Sequence, residues 1–69
     1  MSWNYRVMRY PDGYLGIHEV YYDDGEGTVN GYTVEAIPVS GEDKEAIQST
    51  LQMMLAALDK PTLDYEEED

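Results

Sequence analysis

The apolar residues of this chain change their period at Pro38. Before it they alternate or run in aromatic and β-branched blocks, and after it they return every three or four positions. A period of two belongs to a strand and one of about 3.6 to a helix, so the order reads as strands first and a helix last. The first block, Trp3 to Tyr10, sets Trp3, Tyr5 and Val7 on one face and stops at Pro11-Asp12-Gly13, a strand followed by a turn. A second strand, Tyr14 to Tyr22, runs into Asp23-Asp24-Gly25-Glu26-Gly27, the tip of a second hairpin. The third runs from Thr28 to Ile37, with Asn30 and Gly31 read as a bulge.

Beyond Pro38, Ser40 with Asp43 three residues on resembles a capping box, and Glu42, Asp43 and Glu45 suit a helix N-terminus. Ile47, Leu51, Met54, Leu55 and Leu58 then mark one apolar stripe. The expected helix spans about Gly41 to Asp59, with Lys60 at its end and Pro61 beyond. The fold class follows: α+β, a three-stranded antiparallel β-meander with one C-terminal amphipathic helix packed on one face. Residues 1–65 are expected to form a single domain and 66–69 an acidic tail, the end of the string LDYEEED.

With 69 residues and no cysteine, the chain has a small hydrophobic core in place of disulfides or thiolate metal sites, which fits a reducing compartment. No apolar run suggests a membrane span and the first residues lack a secretory pattern, so the expectation is a soluble, unprocessed protein of the cytoplasm. Fifteen Asp and Glu against four Lys and Arg give a net charge of −11. That exceeds the magnitude of about 2–8 that keeps a small domain soluble. Such a surface repels nucleic acid and anionic lipid and attracts basic partners.

Catalytic and metal patterns are weak. His18 is the sole histidine, expected to be a surface or packing residue, since no Cys or second His completes a zinc site. No nucleophile elbow surrounds Ser40 or Ser49, and Gly25-Glu26-Gly27 lacks the Lys and spacing of a phosphate loop. A calcium loop drawn from Asp24, Glu26 and Glu35 puts Val29 where Gly is needed. No cofactor, no metal and no enzyme activity is expected. The seven Tyr and the Trp read mainly as strand and core residues, with Tyr21, Tyr22 and Tyr65 as candidate interface anchors.

The acids are the remaining signal. Asp23, Asp24 and Glu26 sit at a hairpin tip; Glu42, Asp43, Glu45 and Asp59 lie on or beside the helix, where 42, 45, 49, 52, 56 and 59 would form one row. Carboxylates pooled from several elements can imitate the phosphate density of a duplex, about one charge per 1.7 Å of axis. These seven acids are therefore the candidate partner-binding residues.

Trp3-Asn4-Tyr5-Arg6-Val7, Gly16-Ile17-His18-Glu19-Val20-Tyr21-Tyr22-Asp23 and the stretch Met54 to Pro61 resemble a family of short uncharacterised bacterial proteins that begin WNYRV and continue IHEVYYD before a C-terminal helix. That likeness implies the strand-strand-strand-helix order and a bacterial host cell, and brings no catalytic residue. In size and acidity the chain also resembles phage anti-CRISPR proteins, some of which mimic DNA. The functional expectation is a nucleic-acid mimic that inhibits by occupying a basic DNA-binding surface, that of a CRISPR interference complex being the instance this resemblance implies. The alternative is a small bacterial protein-interaction domain that docks through a Tyr-rich sheet.

Overall fold

The computed structural model describes residues 2–23 and 27–66. Its elements are β1 (Ser2–Arg9), β2 (Leu15–Tyr22), β3 (Val29–Tyr32), α1 (Lys44–Ala57) and β4 (Leu63–Asp64). The strands form one sheet in the order β3-β2-β1-β4. The fold is α+β, but the sheet is mixed and four-stranded: β1 and β2, and β2 and β3, pair antiparallel, while β4 runs parallel to β1.

The first hairpin is closed by the chemistry its residues suggest. Gly13 N–H donates to Tyr10 C=O at 2.9 Å and Tyr10 N–H to Tyr14 C=O at 2.8 Å, with Pro11 supplying the fixed φ of the turn. Gly13 sits at φ +94°, where a side chain would be strained. Asp12 Oδ1 accepts from Tyr14 N–H at 3.0 Å and completes the turn. The register this sets pairs Trp3 with Tyr21, Tyr5 with Glu19 and Val7 with Ile17. Odd-numbered residues of both strands thus share one face, and Asn4, Arg6, Met8, Gly16, His18, Val20 and Tyr22 share the other.

The third strand is shorter than expected, Val29–Tyr32 in place of Thr28 to Ile37. Tyr21 pairs with Gly31 but Tyr22 with Val29, so Asn30 is the extra residue of a bulge. Past Tyr32 the chain stays beside β2 only at intervals, through Thr33 N–H to Glu19 C=O at 3.0 Å and Ile37 N–H to Ile17 C=O at 2.9 Å. The hairpin tip at Asp24 to Glu26 lies outside the described residues.

Three expectations for the helix need correction. The cap is Asp43 and not Ser40: its backbone is extended and its Oδ1 accepts from Ala46 N–H at 2.9 Å. Asp ranks with Ser as an N-cap, and here it satisfies an otherwise orphaned donor, so the helix begins at Lys44. The helix ends at Ala57, followed by bonds of i to i−3 type from Leu58, Asp59 and Lys60 that tighten the last turn. The buried stripe is also rotated. Met54 and Ala57 are buried and Ile47 and Thr50 half-buried, whereas Leu51, Leu55 and Leu58, expected in the core, are exposed. α1 packs chiefly on β1, and the small Ala57 permits that close approach. A single strand's width covers one row of helix side chains and leaves the next row open.

Both faces of the sheet are covered. Tyr5, Val7, Met54 and Ala57 make one core with Ile17 and Ile37, while Met8, Val20 and Tyr22 make another with Tyr32, Leu63 and Tyr65. Arg6 ties the return of the chain to the sheet, donating from Nη2 to Pro61 C=O at 2.6 Å and from Nη1 to Tyr22 Oη at 3.1 Å. β4 then pairs with Met8 and Arg9, and Tyr65 N–H donates to Arg9 C=O at 2.8 Å.

Candidate interaction surfaces

The expected acids do not form one row. Glu42 and Asp43 precede α1 and Asp59 follows it, so only Glu45 of the charged members of the helical series is within the helix. Fourteen residues at about 1.5 Å each put the two acidic ends roughly 21 Å apart. The acids group instead by end of the molecule. Asp23 follows Tyr22, opposite Ser2, and the last turn of α1 lies against Trp3, Asn4 and Tyr5, which brings Asp59 toward the same end. Glu42, Asp43 and Glu45 lie at the start of α1, at the other. Asp43 has a capping role of its own; Asp23, Glu42, Glu45 and Asp59 are exposed, and Asp24 and Glu26 lie outside the described residues.

Little of this charge is compensated within the fold. Among the described residues the one ion pair is Arg9 Nη1 to Asp64 Oδ1 at 3.4 Å, and both partners are mostly exposed. Arg6 spends its guanidinium on a phenol and a carbonyl. The field of the acids therefore reaches solvent, with Lys44 and Lys60 the remaining cations.

No protein-family model matches the chain, no curated protein matches it in sequence, and no solved structure matches its fold.

The three candidate tyrosine anchors differ in exposure. Tyr22 is buried, Tyr65 is half-buried with its hydroxyl donating to Val34 C=O at 3.0 Å, and Tyr21 donates to Glu19 Oε1 at 2.9 Å. That bond to a carboxylate, above all, raises the Tyr21 phenol over its ordinary value. Burial, with Glu19 as a lesser cause, raises Tyr5 likewise.

His18 is fully buried, which the sequence left undecided between surface and packing. Its Nδ1 faces the Thr33 carbonyl at 2.9 Å, an atom that only accepts, so Nδ1 carries the hydrogen and Nε2 accepts from Tyr10 O–H at 2.6 Å. The rings of Tyr10, Tyr32 and Tyr65 surround the imidazole with centroids 5.6, 6.5 and 5.5 Å away. Gly16 is needed for this: a Cβ there would strike the Tyr10 hydroxyl and ring. Both ring nitrogens are occupied by the fold, and among the described residues no group of three or more His, Cys, Asp or Glu is placed to hold a metal ion. The arrangement is a satisfied polar centre in an aromatic core.

What sequence reasoning missed is the open apolar face. Leu51 and Leu55 of α1, with Leu58 at its C-cap, face a groove of about 520 Å³ whose other wall is Leu15, Ile17, Ile37 and Val39. Leu55 and Leu58 are 65% and 63% exposed, and Leu15 57%. A signal existed: Ile47, Leu51, Met53, Met54, Leu55 and Leu58 occupy a wider arc than one packed strand can cover.

Proposed function

We propose that this protein is a non-catalytic binding protein that presents phosphate-like carboxylates to a basic nucleic-acid-binding surface of a partner and thereby excludes DNA. The carrying observation is the charge of −11 with a single ion pair among the described residues. A compact fold bears self-repulsion of this size at some cost in stability, and the same field accelerates encounter with a basic surface. Asp23, Glu42, Glu45 and Asp59, with Asp24 and Glu26, are the proposed contact acids. Asp43 adds its charge at the helix start while holding the cap.

The partner class proposed is a CRISPR interference complex, in keeping with the resemblance in size and acidity alone; the cytoplasm of a bacterial host is in keeping with the separate resemblance in WNYRV and GIHEVYYD. No helix among the described residues is long and apolar enough to cross a membrane. The test is a competition assay in which labelled duplex is bound by such a complex and the protein is titrated in. Stoichiometric displacement that weakens with rising salt supports the reading. Direct binding of the protein to the duplex in a gel shift at moderate salt would refute it, as would undisturbed complexes at saturating protein.

A further inference from the structure

We infer that the open leucine row of α1 and the groove beside it bind the apolar side of a basic amphipathic helix carried by the partner. The inference rests on the acidic-binder reading and names the place where that binding is anchored. Leu51 and Leu55 of α1 and Leu58 at its C-cap recur at i, i+4 and i+7 and are 50%, 65% and 63% exposed. Leu15 and Val39 form the facing wall, 57% and 40% exposed. Single exposed leucines are ordinary, but a contiguous row with a facing wall is the mark of an interaction site. Its spacing suits a partner helix laid into a groove.

Two occupants can be weighed, a second copy of the chain and a helix of a partner. A second copy would satisfy the leucines but would bring together two chains of −11, with Asp59 next to Leu58 in each. The two net charges repel, and Lys44 and Lys60 offset them only in part. A partner helix with apolar anchors and Lys or Arg residues meets the leucines and the acids together. In that arrangement the charges speed association and the buried anchors set the residence time.

The experiment measures binding of three labelled synthetic peptides: an amphipathic Leu/Lys helix, oligolysine of equal charge, and a Leu/Glu helix of equal hydrophobicity. Each is titrated against the native protein, against Leu55→Ser/Leu58→Ser and against Glu42→Lys/Glu45→Lys, with sedimentation to report self-association. The Leu/Lys helix should bind most tightly, and the serine variant should weaken it about tenfold, mainly through faster dissociation, while oligolysine binding is unchanged. The lysine variant should weaken both basic peptides. Equal affinity of the native and serine variants for the Leu/Lys helix would overturn the groove assignment, with the acidic-binder reading left standing if the lysine variant still loses both. Equal binding of the Leu/Lys and Leu/Glu helices would overturn the basic character of the occupant and with it the acidic-binder reading. A native dimer that the serine variant abolishes would overturn the choice of a partner over a second copy.

Discussion

The two faces of the sheet are finished in opposite ways. On the even-numbered face, His18, Val20 and Tyr22 are closed over by Tyr10, Tyr32, Leu63 and Tyr65, and each polar atom of the imidazole has a partner. On the odd-numbered face, Tyr5 and Val7 receive only Met54 and Ala57 as buried helix residues, and the adjacent leucines stay in solvent. Buried aromatic rings and the satisfied imidazole are concentrated on the first face, and exposed leucines on the second. A domain this small has little core to spare, so leaving leucines exposed is informative about what the surface is for.

The sharpest way to break this comparison is at His18. Replacing His18 with Ala opens a cavity and strands the Tyr10 hydroxyl and the Thr33 carbonyl, and should cost about 3 kcal/mol in denaturant unfolding. His18→Phe keeps the volume and loses only the polar partners, so it should cost about half as much. Indistinguishable midpoints for His18→Ala and the native chain would show that the aromatic face is not where stability resides.

Next in size is a contrast within α1. Met54→Ala removes a buried side chain and should cost about 2 kcal/mol, whereas Leu55→Ser, one residue away, should cost about 0.5 kcal/mol or less. Equal losses would mean that the helix sits rotated from the orientation described. Asp43→Ala should cost about 1 kcal/mol through the lost cap, while Ser40→Ala, outside the helix, should be silent to within about 0.5 kcal/mol.

Where the sequence was legible, the controlling interactions were local. Pro11-Asp12-Gly13 encodes its own turn, Asn30-Gly31 marks the bulge, and the aromatic and β-branched blocks form β1 and β2. Where it was not, the outcome depended on distant partners. β4 is two residues long, too short for any periodicity, and is held by pairing with Met8 and Arg9. The rotation of α1 depends on which strand covers it, and the role of His18 on Tyr10 and Thr33 arriving from either side. For the candidate site, the identity of the acids could be read directly, but their division between two ends of the molecule and the leucine groove required the fold.

Alkaline pH probes the odd-numbered face in a different way. Tyr5 and Tyr21 both have folded values raised above 10.0. Their contribution to stability is therefore complete below the unfolded value and is lost as pH climbs through the folded values. Glu19→Gln removes the charge that accepts from Tyr21 and lies near Tyr5, so both phenols should titrate at lower pH by tyrosinate absorbance, Tyr21 by more. An unchanged alkaline titration in Glu19→Gln would contradict the assignment of the Tyr21 shift to that hydrogen bond.

The smallest expected effect on stability comes from the C-terminal acids. Glu66 is engaged through its backbone: its N–H donates to Tyr32 Oη at 3.0 Å, and the same hydroxyl donates to its C=O at 3.2 Å. Truncation should therefore spare Glu66 and remove only Glu67-Glu68-Asp69, which lie outside the described residues. These three are acids without an apolar side chain, so their loss should move the unfolding midpoint by about 0.5 kcal/mol or less while reducing the long-range field. Association with a basic partner should slow and become less dependent on salt, with the dissociation rate unchanged. Charge reversal at Glu42 and Glu45 should do more, because acids at a fixed helix start can hold a spacing against a partner's cations. Stopped-flow association across a salt series separates the two. If truncation abolishes binding while Glu42→Lys/Glu45→Lys keeps it, the acids of the folded surface are not the contact residues and the tail is.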